Sequence, residues 1–113
     1  MAEPIRDRVE TLAGDVSAML TDRLGREVTH HTDVLSGHVV FAMGRHAYCM
    51  KCDALTAFAD GLPSAGSTHE FEWMMLGLLP KDTNERERRL RELRRERLTP
   101  LVHRIAPQLE RGP

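Results

Sequence analysis

The residues best suited to chemistry in this chain are its only two cysteines and most of its histidines, and they lie close together. Cys49-Met50-Lys51-Cys52 forms a CxxC, and His30, His31, His38, His46 and His69 fall around it, while His103 stands apart. Two thiolates at this spacing can chelate one ion, because the backbone between them folds into a knuckle whose N–H groups face sulfur. A closed zinc site then needs two further ligands, and imidazoles can supply them.

The elements around the CxxC rank those imidazoles. HVVFAM (38–43) and HAYCM (46–50) read as strands joined by a two-residue turn at Gly44-Arg45, with glycine in the first central place that a type II′ turn requires. That turn predicts Met43 opposite His46, Ala42 opposite Ala47, Phe41 opposite Tyr48, Val40 opposite Cys49 and His38 opposite Lys51. Side chains alternate along a strand. His38, Val40, Cys49 and Lys51 therefore share one face. Val39, Phe41, Met43, His46, Tyr48 and Met50 share the other, more apolar face, which suits packing on a helix. His38 lies diagonal to Cys49, within reach of a shared ion, whereas His46 points away. The fourth position falls to His69, at the start of a later element, with His31 and then His30 on the preceding strand as alternatives. The expected ligand set is His38, Cys49, Cys52 and His69 around Zn2+.

A second chemistry uses the same thiols. The stretch VVFAMGRHAYCMKCDALTAFAD (39–60) resembles the active-site segment of thioredoxin-like proteins, where an apolar strand leads to an aromatic residue, a CxxC and a helix. Tyr48, Cys49, Cys52, Leu55 and Phe58 carry the likeness. It implies a thiol redox protein in which Cys49 is the nucleophile, activated by the helix N-terminus, and Cys52 the resolving thiol. The likeness ends at residue 60. The following helix closes at Gly61, and neither Pro63 nor Pro80 stands where that family places its cis-proline, so this reading ranks second. No phosphate-binding glycine loop, serine elbow or HExxH is present.

Around this centre the pattern predicts five further elements, the last of them restarted. Ile5, Val9, Leu12, Val16, Leu20 and Leu24 recur at helical spacing over 4–24, with Pro4 in the first turn and Gly25 just past the end. Residues 27–35 (EVTHHTDVL) read as a strand, closed by a turn at Ser36-Gly37. Asp53 caps a short helix over 54–60. Ser67 and Glu70 form a capping box ahead of a largely apolar helix over 69–79. Asn84 and Glu87 give the same signal for a helix through Leu98, and Thr99-Pro100 restarts it, with Leu101, Val102, Ile105 and Leu109 along one side.

Charge is divided unevenly. Residues 1–80 carry 6 basic and 11 acidic side chains, and residues 81–113 carry 10 basic and 6 acidic ones, a net of −5 against +4. NERERRLRELRRERL (84–98) holds a narrow stripe of Leu90 and Leu93 bordered by Arg86, Arg94 and Arg97, with Arg88, Arg91 and Arg95 on the opposite face. Glu85–Arg89, Glu87–Arg91 and Arg88–Glu92 sit one turn apart and can pair. The leucine stripe suits contact with another helix. The arginines suit phosphate, but the interleaved glutamates oppose it and no aromatic residue accompanies them for stacking. Arg88, Leu90, Arg91, Leu93 and Arg95 are the expected partner-binding residues.

An α+β fold is expected: an N-terminal helix packed on a small antiparallel sheet with a metal knuckle, followed by C-terminal helices. Residues 1–80 would form a zinc-stabilised body and 81–113 an Arg-rich helical tail, within a single domain. Aromatics are only 4% of the chain, so the core is aliphatic and an ion would reinforce it. No apolar run approaches the ~20 residues of a membrane span, and the charged N-terminus lacks a signal-peptide core, which points to the cytoplasm. The expected function is a small zinc-binding regulatory or adaptor protein acting through its C-terminal helices. Its partner would be another protein or its own copy. The alternatives are the thiol redox protein and a nucleic-acid-binding zinc module.

Overall fold

The apolar spacing of the first helix is realised from Val9 to Leu24. In the computed structural model, which describes residues 5–33 and 35–111, α1 spans Ile5–Leu24. It buries Val9, Leu12, Val16 and Leu20 on one face, each contributing about 1.5–3 kcal/mol of transfer free energy. Gly25 ends it with φ +71°, its N–H donating to the Thr21 carbonyl at 2.9 Å, the left-handed stop that a residue without Cβ adopts freely. Pro4 lies outside the described residues.

Three strands follow as an antiparallel meander in the order β1-β2-β3: β1 (Thr29–Asp33), β2 (His38–Met43) and β3 (His46–Lys51). The β2–β3 register is the expected one at every pair, from Met43 opposite His46 to His38 opposite Lys51. Gly44 takes φ +61° while Arg45 does not enter the left-handed region, as a type II′ turn demands. Alternation then decides the faces. Val39, Phe41 and Met43 enter the core, with Tyr48 and Met50 packed against it.

Cys52–Ala57 forms α2 and Thr68–Met75 forms α3. Asp53 sits in the first turn of α2 rather than capping it, because the strand runs straight into the helix and the Cys52 N–H donates to the Gly37 carbonyl at 2.8 Å. At α3 the Ser67 hydroxyl accepts from the Glu70 N–H at 3.0 Å, while the Glu70 carboxylate reaches the Gly66 N–H at 3.2 Å. The final helix, α4, spans Thr83–Arg111 without a break. Asp82, not Asn84, supplies its first-turn acceptor, taking the Glu85 N–H at 3.0 Å.

Pro100 and Pro107 both lie inside α4. Each removes one backbone donor, and Thr99 turns its hydroxyl to the Arg95 carbonyl at 2.9 Å. Because the helix continues through Pro100, Leu90, Leu98, Leu101, Ile105 and Leu109 line up on one buried side. The apolar side of α4 thus joins α1 and the sheet in one core. The fold is α+β, with helices before and after the sheet in the chain. The metal knuckle expected at the sheet edge has no support in the positions of its residues.

Candidate functional site

Cys49 and Cys52 do not converge. Alternation along β3 leaves Ala47, Cys49 and Lys51 exposed on the outer face of the sheet. Register places His31, Val40 and Cys49 in one row across the three strands, and Asp33, His38 and Lys51 in the next. His38 is therefore diagonal to Cys49, as expected. Cys52 begins α2 on the other side of the chain, buried among the core residues. His69 lies on α3, its ring edge-on to Trp73 at 5.6 Å. Of the expected zinc ligands, two share the exposed sheet face, one is in the core and one belongs to another helix. Among the described residues no group of three or more His, Cys, Asp or Glu is arranged to hold a metal ion.

The same placement weakens the thiol redox reading. Both thiols are free. Cys49 lies within a strand, paired with Val40, not at a helix N-terminus that would favour its thiolate. Burial pushes the Cys52 thiol above its ordinary value, and the charges of Asp53 and Asp33 push it the same way.

Two histidines instead fasten elements together. The His30 Nδ1 lies 3.0 Å from the Ser17 hydroxyl, and its Nε2 lies 3.6 Å from the Glu10 carboxylate. This has the order of a nucleophile–base–acid relay. The Ser17 hydroxyl, however, is buried in mid-helix and donates to the Gly14 carbonyl at 3.2 Å, where the backbone N–H groups already serve the helix and none is left for an oxyanion. The cluster docks β1 on α1. His46 Nδ1 sits 2.7 Å from the Leu109 carbonyl, which is among the last four of α4 and lacks a helical partner.

The expected partner-binding residues of α4 divide. Leu90 is buried and Leu93 packs against the core, so the leucine stripe faces this chain's own body. Arg94 donates to Asp15 on α1 at 2.8 Å, and Arg95 lies 3.5 Å from the same carboxylate. Arg86 donates to the Lys81 carbonyl at 2.8 Å and pairs with Glu70 at 3.7 Å, and Arg97 donates to the Asp60 carbonyl at 3.2 Å. Only Arg88 and Arg91 of the expected set remain fully at the surface. Along the helix itself, Arg89 pairs with Glu92 at 3.2 Å, a different partner from the one its spacing to Glu85 suggested.

What α4 lacks, α3 supplies. No residue of α3 is buried. Phe71, Met75, Leu76 and Leu78 are 59%, 69%, 72% and 54% exposed. Gly77, at φ +76°, folds the chain back after the helix, and the Leu78 N–H donates to the Trp73 carbonyl at 2.8 Å. This gathers the four side chains in one short segment, tethered by Leu79 in the interior and by the Glu70–Arg86 pair. The sequence signal was visible as an apolar run; its exposure was not.

No known protein family matches the chain, nor does any curated protein or solved structure. Among the described residues no helix is long and apolar enough to cross a membrane.

Proposed function

We propose that the chain is a small regulatory or adaptor module of the cytoplasm that works by macromolecular binding, and that its docking surface is the apolar segment 71–78 rather than the leucines of α4. The occupant is a second copy of the chain. The exposure of Phe71, Met75, Leu76 and Leu78 carries this reading. Together they leave on the order of 400 Å2 of apolar surface, in the range of the largest and often functional patch on a typical chain.

Two features support a like partner. Exposed charges of both signs, Glu72 within the segment and Lys81 just beyond it, accompany the apolar side chains, and a two-fold contact needs a self-complementary edge. The patch also supplies roughly half of the ~800 Å2 per partner of a standard interface, leaving the remainder to those charged flanks.

Sedimentation of the wild type and of the Met75→Glu/Leu76→Glu variant tests the proposal. The wild type should associate, and the variant should be monomeric with an unchanged melting temperature, since both side chains are exposed. A wild type that stays monomeric at millimolar concentration, or a variant that still dimerises, refutes it.

A further inference from the structure

A cleft of about 210 Å3 opens between α1, the 59–65 loop and α4, and none of residues 71–78 lines it. Its floor is apolar, formed by Leu12, Leu62 and Leu90, and its rim carries Arg8, Arg91 and Arg94 against one carboxylate, Glu87.

The three guanidinium groups are held differently. Arg8 is fixed by two hydrogen bonds, to the Ser64 hydroxyl at 2.6 Å and the Ala59 carbonyl at 2.9 Å. Neither bond neutralises its charge. Arg94 gives its Nε to Asp15, which sets the plane of the fork. Arg91 makes no ion pair among the described residues. Among the described residues the rim therefore presents two cations without carboxylate partners, one of them pre-positioned, above a hydrocarbon surface.

We infer that this cleft binds a small organic monocarboxylate, its anionic end on Arg91 and Arg8 and its apolar stem on Leu12, Leu62 and Leu90. Forked N–H donors match a planar carboxylate. Glu87 on the same rim opposes a doubly charged phosphate more than a single charge. A cleft of about 210 Å3 suits a short chain or a single ring.

The test is a titration of the whole protein with hexanoate, followed by amide chemical shifts, with hexanol and inorganic phosphate as controls. Hexanoate should move the amides of Leu12, Leu62, Ser64 and Leu90 with a Kd on the order of 1 mM. Arg91→Met should weaken that binding about 10-fold or more, the loss of a charge-assisted contact, at an unchanged melting temperature because Arg91 is exposed. No shifts at the cleft, equal binding by the variant, or binding of phosphate or hexanol as tight as that of hexanoate overturns the inference.

Discussion

Replacing Asp15 by Asn should destabilise the protein more than any other single polar change on α1. Asp15 is buried in the α1–α4 contact and receives the Arg94 Nε at 2.8 Å, while Arg95 Nε lies 3.5 Å from its other oxygen without a hydrogen bond. Breaking a fully buried pair costs about 3–5 kcal/mol, because one charge is left without a partner. The Arg94 side chain is 23% exposed and that of Arg95 40%, so water recovers part of this and about 2–3 kcal/mol is expected. For a chain of this length that is a fall in melting temperature of roughly 10 °C. The double variant Asp15→Asn/Arg94→Met should lose less than the sum of its singles, since the orphaned cation is gone. Thermal unfolding followed by circular dichroism reads both. A fall below ~2 °C for Asp15→Asn, or additivity in the double variant, refutes the claim that this pair joins the helices.

Alkaline pH should weaken the fold through Cys52. Its thiol is raised above the ordinary 9.0 by burial, so its contribution is fully present below that pH and is lost as pH rises through the folded-state value. Urea midpoints measured upward from pH 8 should fall less steeply for Cys52→Ala than for the wild type; parallel curves would exclude the effect. The separation of the cysteines predicts that purified protein carries no stoichiometric zinc and melts at the same temperature with and without a chelator. Metal analysis showing one zinc per chain, with a melting point lowered by chelation, would restore the knuckle.

The parts of the fold legible in the sequence were those with a local cause. Gly44 allows one hairpin turn, and a one-residue slip would have turned Val39, Phe41 and Met43 outward, so the register had a single solution. The line of apolar residues on α1 was equally explicit. The candidate zinc site failed at a boundary. The alternation that fixes Cys49 on the outer face of β3 puts Cys52, three positions on, toward the inner one, where α2 begins at once. On α4 the proline at 100 suggested a restart, which hid a stripe running from Leu90 to Leu109. Arg94 interrupts that stripe one turn from both Leu90 and Leu98. A charge in an apolar row looks like a border until its partner, Asp15 beside the α1 row, is placed opposite it.

The union of α1 with α4 also constrains when this chain can fold. Residues 9–20 find their cover on residues 90–109, and the His46 imidazole seats itself on the Leu109 carbonyl. During synthesis the first helix and the meander lack that cover until residues 90–109 have been made. Contacts so distant along the polymer slow assembly, and removing the last turns of α4 would leave a greasy, uncovered half rather than a shorter version of the same body.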